Sequence, residues 1–207
     1  MKKYLLAASL LCGSMPALAV SISGIEYSGS GCPEHSAAVN ISDDGQALTV
    51  AFDQFYAEIT DRVFDLAKCN IKLKLDVPAG QSVGLFCVDY RGFGSVDYGV
   101  GAEFGSSYRF SDQEPYRSLG KTKLPEEHND DFALLSVVPQ DQILWSGCGG
   151  QLELDLKAVA MLYVNHFGRG VPRGWQPLTP DTGGYLAVDS VDGEFKMHYG
   201  LATRRCR

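Results

Sequence analysis

The chain runs to 207 residues, of which 45% are hydrophobic, 21% charged and 11% aromatic, a balance that belongs to a folded globular protein and excludes a disordered or collagen-like one. At this length one domain can bury roughly 70% of its extended-chain surface, so a core forms without metals or dense cross-linking. Twenty-five acidic against eighteen basic residues leave a net charge of −7, a sign that argues against nucleic acid or an anionic membrane as partner.

The first predicted element is an export signal. Lys2 and Lys3 precede the apolar run Tyr4 to Leu11, Gly13 and Pro16 break that run, and Ala17-Leu18-Ala19 offers small residues for cleavage after Ala19. The run is far shorter than the ~20 residues that span a bilayer, and no later stretch reaches that length. Residues 1–19 are therefore expected to leave, and 20–207 to form one soluble, secreted or periplasmic domain. The rival reading makes Cys12 a lipid acceptor, but Leu11 stands where such a site wants a small residue. Loss of Lys2 and Lys3 takes the net charge of the mature chain to −9.

Strand signals follow in order. Ala37 to Ile41 and the alternating Leu48, Val50 and Phe52 flank Asp43-Asp44-Gly45, a hairpin pattern. Asp61 to Lys68 alone has helical spacing, with Val63, Phe64 and Ala67 on one side, and it is short. Ile71, Leu73, Leu75 and Val77 alternate with Lys72, Lys74 and Asp76, and Pro78-Ala79-Gly80 then reads as another hairpin turn. Leu152, Leu154 and Leu156 alternate with Gln151, Glu153 and Asp155. Near the end, Asp192-Gly193 separates Tyr185 to Val191 from Glu194 to Leu201, whose Phe195, Met197, Tyr199 and Leu201 share one face. The economical solution is an all-β fold, an antiparallel β-sandwich with one face of each sheet buried.

From Phe86 to Tyr116 the texture changes. Eight aromatic rings, among them Tyr90, Phe93 and Tyr98, interleave with Gly92, Gly94, Gly99, Gly101 and Gly105. A twisted, ring-rich part of the core explains this pattern. A sugar-stacking or partner-binding face through Tyr90, Phe93 and Tyr98 is the functional alternative.

Without Cys12, five cysteines enter an oxidising compartment. Cys87 lies in the apolar run Val83 to Val88 and is expected as a core thiol. Cys32, Cys69, Cys148 and Cys206 sit at segment ends, where two disulfides can form. Of three pairings, Cys32 with Cys69 and Cys148 with Cys206 is preferred, because in an antiparallel sheet the start of one strand lies beside the end of its neighbour. Metal binding by these thiols is disfavoured, since no CxxC pair exists and the spacings are wide.

Several strings now combine: Gly29-Ser30-Gly31-Cys32-Pro33, Ile41 to Val50, Cys69, Val88-Asp89-Tyr90-Arg91-Gly92-Phe93, Trp145-Ser146-Gly147-Cys148-Gly149-Gly150, Asp189 to Gly193 and Arg205-Cys206. In order and spacing they resemble the secreted fungal and bacterial family called domain of unknown function 4360, over nearly the whole mature chain. The resemblance implies a secreted, strand-rich, disulfide-bonded domain and places Cys32, Cys69, Cys148 and Cys206 at the family's cysteine positions. It supplies no activity. Cys87 and the segment from Asn165 to Gly183 depart from the family pattern.

Motifs for chemistry are sparse. There is no GxSxG, and Ser146-Gly147-Cys148-Gly149 reads as a turn. His35, His128, His166 and His198 show no zinc spacing. Glu126-Glu127-His128-Asn129-Asp130-Asp131 lacks the spacing of a calcium loop and reads as a solvated acidic loop. Neither a metal nor a cofactor is expected. The aperiodic segment Asn165 to Pro177 instead gathers Arg169, Arg173 and Trp175 within an acidic chain, and long loops with Trp and Arg favour recognition. A buried Trp175 acting as a lid, with the arginines answering nearby acids, is the structural alternative. Two functions result: a secreted non-catalytic module binding a polysaccharide or extracellular protein, or a secreted hydrolase whose paired carboxylates meet only in the fold.

The tripartite N-terminus predicts a secreted product whose intact mass corresponds to a chain starting at Val20; a product retaining Met1, or carrying lipid on Cys12, contradicts it.

Overall fold

Alternating apolar residues need a dry face, and the computed structural model, which describes residues 19–111, 113–164, 183–187 and 196–206, supplies it as two packed antiparallel sheets. In chain order the described strands are β1 (Ser21–Ser28), β2 (Ala37–Ile41), β3 (Ala47–Phe52), β4 (Tyr56–Ile59), β5 (Phe64–Val77) and β6 (Gln81–Val96). They continue as β7 (Val100–Phe110), β8 (Arg117–Leu124), β9 (His128–Val137), β10 (Gly150–Val164), β11 (Gly184–Ala187) and β12 (Lys196–Arg205). The first sheet has the order β1-β5-β10-β7-β8. The second is β2-β3-β12-β6-β11-β4, with β9 also paired to β6.

The long strand β6 organises the second sheet. Along one edge β12 pairs with residues 81–90 and β11 with 93–96; along the other, β9 pairs with 87–96. β3 and β4 extend outward from β12 and β11. The sequence pattern predicts the segments around Tyr185 and Leu201 as two arms of a hairpin. Both instead run antiparallel to β6 and lie end to end, because β6 is long enough to take both. The turn residues Asp192 and Gly193 lie outside the described residues.

Other expectations meet similar corrections. The β2–β3 hairpin forms, with Ile41 opposite Leu48, and Ser42 and Asp44 oxygens accept the Gln46 N–H at its turn. Pro78 to Gly80 turns the chain, with Gln81 N donating to Pro78 O, yet it carries β5 of the first sheet into β6 of the second and closes no hairpin. Asp61 to Lys68 forms no helix: Phe64 opens β5, which pairs with β10 along its whole length. Fourteen ladder positions outweigh two turns of weak helical spacing. Asp155, expected on the wet face, is buried beside Arg109. Cys87 is half-buried rather than a core residue and unpaired. It lies with Phe86 against Gly200 at a bulge, where burial pushes its thiol pKa up.

The core follows the alternation elsewhere. Ile71, Leu73, Leu75 and Val77 of β5, Leu154 and Leu156 of β10, and Met197, Tyr199 and Leu201 of β12 are buried. The aromatic stretch supplies its centre, where Phe104 lies 5.6 Å from Tyr90 and 4.9 Å from Phe132, centroid to centroid. Gly92 makes this possible, since a Cβ there would come within 2.5 Å of Phe132 Cζ and 2.2 Å of Ala187 O. Buried hydroxyls tie the two sheets together. Ser106 Oγ of β7 bonds Tyr199 OH of β12 at 3.0 Å. Tyr108 OH of β7 lies 3.2 Å from Leu85 O of β6 and 2.8 Å from Leu144 O, and accepts the Leu144 N–H.

Two disulfides close the sandwich, in the preferred pairing. Cys32 and Cys69 have Cα atoms 5.4 Å apart and join the turn after β1 to β5 in the interior; Cys148 and Cys206, 5.9 Å apart, join the entry to β10 to the end of β12. The second bridge therefore links the two sheets.

Two predictions follow from this core. Closing loops of 37 and 58 residues should contribute about 4 kcal/mol per bridge through the unfolded chain, so Cys148→Ser with Cys206→Ser should lower the urea unfolding free energy by that order. An unchanged midpoint contradicts the bridge. The second concerns alkali. Burial pushes Tyr199 up to about 12 against the Ser106 hydrogen bond, and it raises Tyr90 and Tyr108 as well. In the unfolded chain these phenols ionise near pH 10. Their contribution is present in full below that value and is lost as pH rises from about 10 towards 12. Urea midpoints should therefore fall over this window, and less steeply in Tyr199→Phe than in the wild type.

Candidate ligand-binding surface

The outer face of the second sheet near the C-terminal end of β6 presents rings to solvent. In β4 the inward Ala57 and Ile59 force Tyr56 and Glu58 outward; in β11 the inward Leu186 does the same for Tyr185. Pairing of Ala57 with Leu186 sets Tyr56 diagonal to Tyr185. Their rings are stacked, with centroids 6.1 Å apart and planes inclined by 24°. Tyr56 is 50% and Tyr185 39% exposed, so large apolar area stays in water next to phenolic hydroxyls.

One strand further in, β6 contributes to the same face. Ala187 pairs with Phe93 and Tyr185 with Ser95, which places half-buried Phe93 across Ala187 from Tyr56. The turn between β6 and β7 adds Tyr98, 70% exposed. Asp97 holds that turn against the start of β11, donating its N–H to Gly183 O and accepting the Gly183 N–H at Oδ2, 2.8 Å. Charges around the rings are acidic: Glu58 pairs with Tyr185, and Asp131 of β9 with Phe93. Such a surface suits a ligand with flat apolar faces and many hydroxyl donors, and it disfavours an anionic one.

The residues expected from the sequence divide. Phe93 and Tyr98 lie at this end of the sheet, on the surface. Tyr90 does not: it is 0% exposed, its ring packs on Phe104 and its buried hydroxyl has no partner among the described residues. Its position alternates with Phe93 only in odd register, which puts it on the core face. Arg169, Arg173 and Trp175 lie outside the described residues. Tyr56 and Tyr185 were missed, although the alternation of Phe55, Ala57 and Ile59 with Tyr56 and Glu58 is a readable signal for an outward ring.

The two buried carboxylates among the described residues, Asp155 and Glu103, are engaged by cations. Arg109 Nε donates to Asp155 Oδ2 at 2.8 Å and its Nη1 binds Glu114. Glu103 lies 3.0 Å from Lys121 and 3.3 Å from Lys123; burial opposes its charge, but the two lysines prevail and hold its carboxyl below the usual range. His198 Nδ1 is 3.0 Å from Thr49 Oγ1. Among the described residues no three His, Cys, Asp or Glu side chains gather as metal ligands, and Glu126 to Asp131 forms the turn into β9 and its exposed start.

A secreted relative bears on the compartment. An uncharacterized secreted protein of Arthroderma benhamiae is 30% identical over 192 residues, covering 90% of this chain and 72% of that protein. Among solved structures, TmCBM61 in complex with beta-1,4-galactotriose aligns with a TM-score of 0.27 and 11% identity, over 89% of this chain and 90% of that one. The enzymatically active domain of bacteriophage CBA120 tailspike protein 4 aligns at 0.19 and 8% identity, over 70% of this chain and 19% of that one. Likeness at these scores carries no argument for fold or function. The secreted relative and the two disulfides fit an oxidising exterior, so the protein is exported. A family model described as Domain of unknown function (DUF4360) matches residues 19–206, and the chain belongs to that family.

Proposed function

We propose that the protein is a secreted, non-catalytic module that binds polysaccharide on the outer face of its second sheet. The observation that carries this reading is the exposed, nearly parallel pair Tyr56 and Tyr185, with centroids 6.1 Å apart. A pyranose ring offers a face of C–H groups that stacks on an aromatic ring, while its hydroxyls find partners in the flanking Glu58 and Asp131. Rigid strands hold the rings in place before the ligand arrives, so little side-chain entropy is lost on binding. The segment 165–182 leads directly into the strand that carries Tyr185, and Arg169, Arg173 and Trp175 are proposed as further contacts with the same ligand. For hydrolysis a carboxylate pair would have to face a groove with one member ready to give up a proton. Asp155 and Glu103, the buried carboxylates among the described residues, are instead bound to cations.

The test is a pull-down of the mature protein with insoluble cell-wall polysaccharides, followed by affinity electrophoresis in the soluble ones. Tyr56→Ala with Tyr185→Ala should weaken capture by roughly tenfold or more per ring and shift the thermal midpoint little, since both rings are exposed. Retained capture by this double variant overturns the platform. For the segment, Arg169→Ala, Arg173→Ala and Trp175→Ala together should weaken capture at unchanged stability. A large loss of stability with capture intact would make Trp175 a structural lid, for which truncation costs ~3 to 5 kcal/mol.

A further inference from the structure

At the opposite end of β6 lies a cleft of different character. It has a volume of about 580 Å³ and is lined by Ser82, Ser146, Arg204, Arg205 and the Cys148–Cys206 bridge. Ser82 is buried opposite Arg204 in the β6–β12 ladder. Eleven residues of extended chain separate it from Phe93, roughly 36 Å at ~3.3 Å each. The tyrosine platform and the cleft are thus separate sites on one sheet.

The hydroxyl donors of this cleft are satisfied within its wall, whereas its guanidinium groups have no carboxylate partner among the described residues. Ser82 Oγ donates to Ser146 O at 2.8 Å, and Ser146 Oγ donates to Gly147 O while accepting the Val83 N–H. Both hydroxyl protons are therefore used within the wall. Arg204 and Arg205 have no carboxylate within ion-pair distance among the described residues, in a chain with a net charge of −7. Three other arginines have such a partner: Arg62 binds Asp65, Arg91 binds Asp89, and Arg109 binds Asp155. Arg204 is also held in place, its guanidinium carbon 4.3 Å from the centre of the Trp145 ring. Trp145 can lie there because position 84 is glycine. A Cβ at Gly84 would be 2.6 Å from Ile143 Cγ2 and 3.3 Å from Trp145 Cε3. The disulfide fixes the far wall.

We infer that Arg204 and Arg205 form a subsite for the carboxylate of a uronic-acid residue. This rests on the polysaccharide-binding reading and adds a substrate class to it: a glycan that bears acidic residues among neutral ones. The Arg204 guanidinium, held on Trp145 beside the bridge, matches the planar, bidentate geometry of a carboxylate, and Arg205 adds positive charge to the wall of the same cleft. The acidic surroundings of Tyr56 and Tyr185 repel the same group, so neutral residues of the chain fall at the platform and an acidic one at the arginines. A polymer is the ligand class that reaches both.

Calorimetric titration of the mature protein separates the two sites. The probes are an oligogalacturonate hexamer, its methyl ester, a neutral β-1,4-linked galactose hexamer and an oligoglutamate. The wild type should bind the oligogalacturonate more tightly than its ester, with an affinity that falls as salt rises. Arg204→Gln with Arg205→Gln should lose that binding by about tenfold or more and keep the neutral hexamer. Arg205→Gln alone, which disturbs no stacked ring, should lose part of it. Tyr56→Ala with Tyr185→Ala should show the reverse pattern. Equal affinity for the acid and its ester, or full oligogalacturonate binding by the arginine variants, overturns the subsite and leaves the platform standing. Binding of oligoglutamate as tight as that of the oligogalacturonate overturns its assignment to a sugar. Failure to bind any of the sugars overturns both readings.

Discussion

The pairing of both edges of β6 is the constraint on which the rest of the molecule depends. Sixteen residues of one strand accept β12 and β11 on one side. The other side takes β9 and, beyond it, the segment around Ser146, whose N–H donates to Val83 O. A strand of this length meets different neighbours along its course. Its inward residues Val83, Leu85, Val88, Tyr90 and Val96 are buried, and the strand's two ends become the places where outward residues meet different neighbours. At one end the neighbours are short strands with tyrosines; at the other they are the closing disulfide and the last arginines of β12.

The interior couples the two sheets through hydroxyls as well as through apolar contact. Tyr108, Tyr199 and Ser106 place polar atoms where an unpaired one would cost ~1–3 kcal/mol, and their bonds cross from β7 to the opposite sheet or to the strap at Leu144. These bonds specify how the sheets register on one another, which apolar side chains alone specify weakly. Registry matters for the surface because the outward rings of β4 and β11 take their spacing from the inward Ala57 and Leu186 packed below.

Charge is distributed in the same pattern. On the first sheet Arg109 serves Asp155, and Lys121 and Lys123 serve Glu103. Such pairs bring little net stability where their members are exposed. On the second sheet Arg91 pairs with Asp89, while Glu58 stands beside Tyr185 and Arg204 beside Trp145.

The sequence by itself determined the compartment, the strand class and much of the burial. Cysteines at segment ends and apolar residues at every second position reflect local rules, namely the period of the pleat and the redox state of the exterior. Thus the alternation of Ile71 to Val77 and the β2–β3 hairpin follow from local spacing, while the four bridging cysteines were legible as a set and their pairing only as a preference among three. Tertiary structure decided what depends on which strands become neighbours. Pro78 to Gly80 marks a turn, but only the packing of two sheets makes it a crossing between them; Asp192-Gly193 marks a break, but only β6 aligns the flanking strands end to end. Tyr90 and Phe93 look alike in an aromatic run, and one is core while the other is surface because pleat parity and the neighbouring layer set which way each ring points. Tyr56 and Tyr185 stand 129 positions apart in the chain, and Trp145 and Arg204 fifty-nine. Long-range pairing alone brings each of these pairs together, and no local periodicity encodes it.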